Sequence, residues 1–458
     1  MGETRRLAEF AVGLRLDDCP SLVVDQAKRC IMETLGCALA GSKTPLAQAA
    51  ARTARRQGEG GRATVIGLGF RAAPDRAAFI NGVSANALDF DGGIVRQGHY
   101  GPTAVASALA AGELVGASGR RLLEAVIVAY EVVSRVGLAI RASAQQRRLV
   151  SGYGPHQGFA SVASAGRLLG LTTDQMVHAF GIYGAFAPVP STKQWNWDSR
   201  PLSWTKDMVA WPSMAGINAA LLAESGFLGP RTIFEGEKGF FRMAGSDRYA
   251  PEMLVAGLGE RFEILRMYFK PYPCCRWIHA ALDGVGEIVQ RRGWSGTDVT
   301  RVVVGVAQEV LSDLNDPSPH NLVDAEFSMP YALALRLLDL PPGPRWHDPA
   351  LLDAPQVQKA MRKVALQVDP EMERLFATQH TVGAVVRVEG ADGSVDTVRV
   401  DFAWGSEERP MSDADLTAKF RLLAAEAIDE ASTEDAIRMI DGLEGVASVA
   451  ELGRLLAG

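Results

Sequence analysis

Helical periodicity dominates the first half of this chain. Between residues 20 and 187, apolar residues recur at three- and four-residue steps, as along Val24, Ala27, Ile31 and Leu35. That spacing gives a helix one apolar face. Many of the other positions hold alanine, glycine or serine, so neighbouring helices can approach closely. This half of the chain is therefore predicted to fold as a body of packed helices.

The pattern changes after about residue 262 and changes back near residue 412. β-branched residues signal strands, and the segment Glu389-Gly-Ala-Asp-Gly-Ser394 between two of them signals a hairpin. The predicted elements are strands over 262–269, 299–306, 381–388 and 395–402, and helices over 275–291, 325–340 and 412–456.

The order of these elements predicts a mainly α fold with an inserted α+β domain. We expect one large all-helical domain formed by both chain ends, residues 1–267 and 403–458. A smaller α+β lid domain, residues 268–402, is inserted between them. Junctions between domains are common ligand sites, so the functional site is expected at this junction.

Composition excludes several classes of function. Of the 458 residues, 47% are hydrophobic and 22% are charged, which is typical of a globular protein. The formal net charge is -6 and basic residues form no long run, which argues against nucleic acid as a partner. Neither a signal-type start nor a membrane-length apolar run stands out. A cytoplasmic protein with no membrane partner is therefore expected.

The five cysteines are Cys19, Cys30, Cys37, Cys274 and Cys275. Their odd number and irregular spacing argue against a disulfide framework and against an iron–sulfur cluster. The adjacent Cys274 and Cys275 stand in an apolar context and are interpreted as packing residues. We expect no metal and no cofactor.

Several segments together resemble the MmgE/PrpD family, which includes 2-methylcitrate dehydratase, cis-aconitate decarboxylase and iminodisuccinate epimerase. The most specific are Lys270-Pro-Tyr-Pro-Cys-Cys-Arg276 with His279, followed by Phe327-Ser-Met-Pro-Tyr-Ala332. The resemblance runs from about residue 7 to residue 424. It implies the domain plan above, a homodimer, a small carboxylate substrate and chemistry without a metal.

Asp89 and His99 are the first candidate catalytic residues, because both match family positions that line the active site. A carboxylate can orient an imidazole that transfers protons near neutral pH. We expect Asp89 to orient His99. Spacing alone is equally typical of a surface aspartate and a loop histidine.

Lysine and arginine residues supply the charge that a carboxylate substrate needs. Lys206 precedes a helix of small residues, and Lys270 opens a segment stiffened by two prolines. Both are predicted as catalytic residues that hold carboxylates and stabilise developing negative charge. Arg276 is predicted to bind substrate, since guanidinium can clamp a carboxylate with two hydrogen bonds.

Three further candidates carry alternative interpretations. His156 either reaches into the pocket or only caps a helix that begins near Gly158. The Tyr331 hydroxyl is expected to face the pocket by family resemblance, although periodicity alone favours a core aromatic. His279 shares a helix face with Arg276, and either binds substrate or holds a backbone carbonyl.

The sequence departs from the family's usual His-x-x-Asp-Phe-Asp-Asp-Thr motif. Asn86 takes the place of its histidine, and Gly92 and Gly93 replace its last two residues. In the next motif Gly154 stands at the usual histidine position. A loop with Trp195, Trp197 and Trp204 would cover a bulky substrate or pack in a dimer interface.

The predicted function is that of a metal-independent lyase, a dehydratase similar to 2-methylcitrate dehydratase. His99 would move the proton next to a carboxylate, and Tyr331 or His156 would assist the leaving hydroxyl. A decarboxylase or an epimerase on the same scaffold is an alternative, because both pass through similar carbanion-like states. A non-catalytic binding protein is the other alternative.

Overall fold

The computed structural model describes residues 2–58, 60–95, 97–150, 154–205 and 209–458. The first part is largely helical, as its periodicity predicts, and includes a short antiparallel hairpin of β1 (Ala63–Val65) and β2 (Phe70–Ala72). Its helices are α1 (Glu3–Gly13), α2 (Ser21–Gly41), α3 (Pro45–Gln57), α4 (Pro74–Asn86), α5 (Gly101–Val115), α6 (Gly119–Ala139), α7 (Ala144–Arg147), α8 (Gly154–Leu169), α9 (Thr173–Phe186), α10 (Lys193–Asn196), α11 (Ala210–Glu224), α12 (Phe240–Met243) and α13 (Glu252–Val255).

The middle of the chain forms a four-stranded mixed sheet in the order β4-β3-β5-β6. The strands are β3 (Val299–Val306), β4 (Val364–Val368), β5 (Ala384–Gly390) and β6 (Val395–Val400). β3 is parallel to β4 and antiparallel to β5, and β5 and β6 form the predicted hairpin.

Seven helices accompany this sheet. They are α14 (His279–Arg292), α15 (Gln308–Leu314), α16 (Leu322–Glu326), α17 (Met329–Leu337), α18 (Pro349–Leu352), α19 (Pro355–Met361) and α20 (Pro370–Gln379). α14 packs on β5 and β6, where Gly284 lets the helix approach Val386. Ser328 caps α17 by accepting a hydrogen bond from the Tyr331 backbone N–H at 3.1 Å, so the helix predicted over 325–340 is split in two.

Two other predicted elements are corrected. The strand predicted over 262–269 is a 3-10 turn, Glu263–Arg266, followed by one isolated bridge between Tyr268 and Gly93. The edge strand β4 was not predicted, because half-exposed edge positions weaken its apolar pattern.

The final helices α21 (Asp413–Ala424), α22 (Glu430–Asp441) and α23 (Ala450–Leu455) pack back against α2 and α5. The described residues therefore form two large hydrophobic cores. The first joins residues 7–269 with residues 411–456, and the second joins residues 272–403 with Leu202. No helix in the described ranges is both long and apolar enough to cross a membrane.

A buried ion pair fixes the returning helix α21 to the first core. The Lys419 ammonium lies 2.8 Å from Glu33 Oε1 on α2 and donates to the Phe90 carbonyl at 2.7 Å. Glu33 Oε1 also accepts from the Gly92 backbone N–H at 2.9 Å. The pair thereby fixes the position of the loop that follows α4. Burial raises the pKa of the Glu33 carboxyl by more than the Lys419 charge lowers it.

Replacing Lys419 with methionine is expected to lower the free energy of unfolding by about 3–5 kcal/mol, because Glu33 loses its buried partner. Chemical denaturation would measure the loss. Lys359→Met is the matched control, since Lys359 is exposed on α19. Equal unfolding midpoints for the two variants would contradict the assigned role of the pair.

Candidate active site

A cavity of about 390 Å³ lies where the two cores meet. The first part of the chain contributes its α4–α5 loop, the ends of α6 and α7, and the start of α8. The second part contributes Trp277, Phe327 and Phe402. A cavity of this volume suits a small organic acid.

Asp91 and His99 form the acid–base pair of this cavity. His99 Nδ1 lies 3.1 Å from Asp91 Oδ2, and Asn86 Nδ2 donates to Asp91 Oδ1 at 2.9 Å. Asp91 is fully buried, whereas the His99 side chain lines the cavity and is 18% exposed. Because a carboxylate only accepts, Nδ1 carries a hydrogen and Nε2 is the nitrogen that changes protonation.

The pKa of the Asp91 carboxyl lies below its ordinary value. Burial by itself raises this pKa, but the neighbouring His99 and Lys270 together lower it by more than burial raises it. Asp91 therefore remains ionised near neutral pH and can stabilise an imidazolium at His99. The expectation that Asp89 orients His99 is corrected: the orienting hydrogen bond comes from Asp91, two residues further along.

Asp89 instead pairs with Lys270. The Lys270 ammonium lies 3.0 Å from Asp89 Oδ2 and donates to the Asp89 backbone carbonyl at 2.7 Å. Burial alone lowers the pKa of Lys270, but Asp89 raises it above its ordinary value, so the amine stays charged. Asp89 lies beyond α4, which ends at Asn86, and takes a left-handed backbone with φ of 44°. Both residues line the cavity.

The two glycines that depart from the family motif have a steric reason in this loop. A Cβ added at Gly92 would lie 2.2 Å from the Tyr268 carbonyl oxygen, and one at Gly93 would lie 2.5 Å from the Gly98 carbonyl oxygen. A side chain at either position would force the loop to move. Asn86, at the family's histidine position, supports Asp91 instead.

His156 lies inside the first turn of α8, because this helix begins at Gly154 rather than near Gly158. Its ring lines the cavity, and Nε2 lies 3.2 Å from the Tyr100 hydroxyl. The interpretation of His156 as only a helix cap is therefore wrong. Three histidines, His99, His156 and His380, line the same cavity.

Three predicted site residues, Tyr331, His279 and Arg276, form hydrogen bonds within the second core or at its edge. The Tyr331 hydroxyl donates to the Trp346 carbonyl at 3.1 Å within that core, which corrects its expected place in the pocket. His279 is fully buried, with Nε2 on the Cys274 carbonyl at 3.1 Å and Nδ1 beside Arg276. Burial and the Arg276 charge lower the pKa of His279 well below its ordinary value.

Arg276 lines the cavity, but its guanidinium is used by the protein. Nη1 donates to the Trp404 carbonyl at 2.7 Å and Nη2 to the Ala403 carbonyl at 3.0 Å. These bonds tie the start of α14 to the chain after β6. The two backbone bonds give Arg276 a structural role, and the carboxylate clamp stays a prediction, because a guanidinium carries five N–H donors.

Lys206 lies outside the described residues, as does the side chain of Trp195. Of the other two tryptophans in that segment, Trp197 lines the cavity and packs edge-on against Phe327 at a centroid distance of 4.9 Å. Trp204 is exposed. The tryptophan segment thus contributes to the cavity wall through Trp197.

Sequence reasoning missed several site residues. The buried partner of His99, Asp91, could have been found from the Asp-Phe-Asp spacing, which gives two carboxylates from one loop. Lys193, Arg147 and His380 carried no motif. His380 follows α20 with φ of 61°, so its place depends on a turn that no local pattern announces.

Ligating atoms of Asp89, Asp91 and His99 lie within 4.8 Å of one another, which is close enough to hold a metal ion. A cation there would compete with the Lys270 ammonium at Asp89 and with His99 at Asp91. The present pairing leaves each carboxylate matched to a positive or hydrogen-bonding partner. The cluster fits proton transfer better than metal binding.

The described residues thus form a two-core protein of mixed α and α+β architecture, with an imidazole–carboxylate pair beside the cavity between the cores. Residues 5–252 match the MmgE/PrpD N-terminal domain, and residues 272–444 match the MmgE/PrpD C-terminal domain. The chain belongs to the MmgE/PrpD family, as its motifs predict.

Similar proteins include cis-aconitate decarboxylases from three organisms. The Aspergillus terreus enzyme is 26% identical over 99% of this chain and 96% of its own length. The Homo sapiens enzyme is 26% identical over 99% of this chain and 94% of its own length. The Mus musculus enzyme is 25% identical over 99% and 93%. These named decarboxylases agree with the expectation of a lyase-type enzyme.

Exchanging Asp91 and Asp89 for asparagine separates their two roles. Asp91→Asn is expected to lower kcat by about 10²–10⁴-fold, because His99 loses the charge that stabilises its protonated form. Asp89→Asn is expected mainly to lower the unfolding midpoint, because Lys270 keeps its positive charge without a carboxylate partner. Turnover from about pH 5 to about pH 9 and thermal unfolding measure the two effects.

Asp353→Asn is the control for this pair, since Asp353 is exposed. Wild-type kcat in Asp91→Asn across the whole pH range would refute the assignment of Asp91 as the partner of His99.

Proposed function

We propose that this protein is a lyase that decarboxylates a small unsaturated polycarboxylic acid of the cis-aconitate type. The observation that carries the proposal is the Asp91–His99 pair facing the junction cavity, with His156 on the same wall. The relatives named as cis-aconitate decarboxylases support the choice of reaction. This reaction was the alternative to dehydration in the sequence interpretation.

The chemistry requires one proton and one broken carbon–carbon bond. In an allylic acid, the electron pair of the C–CO₂⁻ bond forms a new double bond as carbon dioxide leaves. The old double bond then takes a proton at its far carbon. One protonated histidine is sufficient, and no oxidant or reductant enters the balance.

Among the histidines that line the cavity, His99 is the best placed proton donor. Its Nδ1 is held by an ionised carboxylate, which favours the imidazolium and fixes the direction of Nε2. His156 lies beside the neutral Tyr100 hydroxyl and is suited to orient the substrate. Lys270 adds a fixed positive charge near the loop of Asp89, where it stabilises negative charge that develops on the substrate.

Dehydration of a hydroxy acid, similar to the 2-methylcitrate dehydratase reaction, is the second candidate. The same imidazole can remove a proton next to a carboxylate, and His156 can then donate to the leaving hydroxyl. The displacement of Tyr331 from the cavity removes one of the two predicted acids for that step. This favours decarboxylation.

Product analysis distinguishes these reactions. The purified protein is incubated with cis-aconitate, citrate and 2-methylcitrate, and products are detected by mass spectrometry. We expect carbon dioxide release from cis-aconitate, and a loss of turnover by about 10²–10⁴-fold in His99→Gln. Water loss from a hydroxy acid without carbon dioxide release would instead establish the dehydratase. Full activity of His99→Gln would refute both.

We also propose a homodimer. Large apolar side chains are exposed near the ends of α9 and α11, with Phe186 at 68% and Trp211 at 53%. Exposed apolar side chains of this size are typical of interaction surfaces. Light scattering is expected to give twice the chain mass of 49.0 kDa. A particle of a single chain mass at micromolar concentration would contradict the proposal.

A further inference from the structure

The walls of the cavity carry both signs of charge. Glu309, Asp401, Glu407 and Glu408 line it together with several lysines and arginines. An anionic substrate therefore meets repulsion from part of the wall and needs a positive group placed where it binds.

Most cavity cations are already used by the protein. Lys193 lies 2.7 Å from Asp313, and Arg266 lies 3.2 Å from Glu263. Lys270 holds Asp89, and Arg276 holds two backbone carbonyls. A substrate carboxylate that bound to any of these groups would compete with its protein partner.

Arg147 differs from these cations. It lines the cavity from the last position of α7. Within the described ranges, its side chain has no carboxylate partner, and its Nε is buried with no hydrogen-bond partner. A guanidinium that lines the cavity without a carboxylate partner keeps N–H donors that a ligand can use, so an incoming carboxylate can bind Arg147 without displacing a partner among the described residues.

The short helix α7 is fixed in place before any ligand binds. The Gln146 side chain donates to the Gly245 carbonyl at 2.7 Å, and the Ser143 backbone N–H donates to Asp247 at 2.8 Å. On the other side, the Lys193 backbone N–H donates to the Leu149 carbonyl at 3.2 Å. The backbone that carries Arg147 is therefore fixed before a ligand binds. Binding then loses less conformational entropy than it would at a flexible segment.

We propose that Arg147 is a substrate-binding residue that takes one carboxylate of a di- or tricarboxylic acid. This inference rests on the proposed function for the identity of the substrate. Guanidinium binds a carboxylate through two parallel hydrogen bonds, so Arg147 sets selectivity for an acid over its amide or ester. Nothing in the sequence around Arg147 marks this role, because Arg147 and Arg148 are adjacent and alike.

The test uses tricarballylate, a saturated tricarboxylic acid that contains neither the alkene needed for decarboxylation nor a hydroxyl to eliminate. Calorimetry at an ionic strength of about 0.15 M measures its affinity for the full chain. Arg147→Ala is expected to weaken binding by about tenfold or more, and Arg147→Lys by less, because lysine keeps the charge but loses the second hydrogen bond.

Arg148→Ala is the matched control, since Arg148 is the exposed neighbour at the end of the same helix. It removes the same charge from the chain and is expected to change affinity by less than about twofold, because exposed charges are screened. Circular dichroism checks that each variant is folded. Equal losses in the two alanine variants, unchanged affinity in Arg147→Ala, or no binding of tricarballylate to the wild type would overturn the proposal.

The proposal and the proposed function can fail separately. If Arg147→Ala loses tricarballylate binding while the wild type turns over none of the acids tested, Arg147 remains the carboxylate-binding residue and the lyase assignment fails. If turnover of cis-aconitate is seen with an unchanged KM in Arg147→Ala, the lyase assignment stands and the role of Arg147 is wrong.

Discussion

The structure depends on how two buried lysines hold one loop. Lys270 donates to the backbone carbonyl of Asp89, and Lys419 donates to the carbonyl of the next residue, Phe90. Each ammonium is also paired with a buried carboxylate, Asp89 or Glu33. A buried charge without a partner is strongly destabilising. The loop, the start of the second core and the returning C-terminal helix therefore constrain one another.

This constraint places the acid–base pair. Gly92 and Gly93 let the loop run against Tyr268, and the Gly92 N–H completes the contact with Glu33. Asp91 lies in the loop between these contacts. Its position is therefore fixed, and its carboxylate accepts a hydrogen bond from His99 Nδ1. The two lysines stabilise the negative charge of this loop. Two aspartates and a histidine can therefore lie close together beside the cavity.

Sequence reasoning recovered the parts that local patterns encode. The helices α2, α5, α6 and α8 and the strand β3 follow from periodicity, and Lys270 and His99 follow from motif resemblance. The partner of His99 was misassigned, because Asp89 and Asp91 are only two residues apart and no local pattern shows that Asp89 takes a left-handed backbone. Tyr331 was misplaced because its hydrogen-bond acceptor, the Trp346 carbonyl, is a backbone atom that no side-chain motif reveals. The backbone bonds of Arg276 to Trp404 and Ala403 escaped the sequence for the same reason.

The contrast between Arg276 and Arg147 shows why a motif is a poor guide to the ligand contacts. Arg276 belongs to the most specific motif, yet its guanidinium joins two segments of the protein. Arg147 belongs to none, yet its side chain lines the cavity and has no carboxylate partner among the described residues. Residues that stabilise the junction must satisfy their hydrogen bonds within the protein, whereas residues that recognise a substrate must keep donors for it. A motif shared across a family with several substrates is expected to contain more of the first kind than of the second.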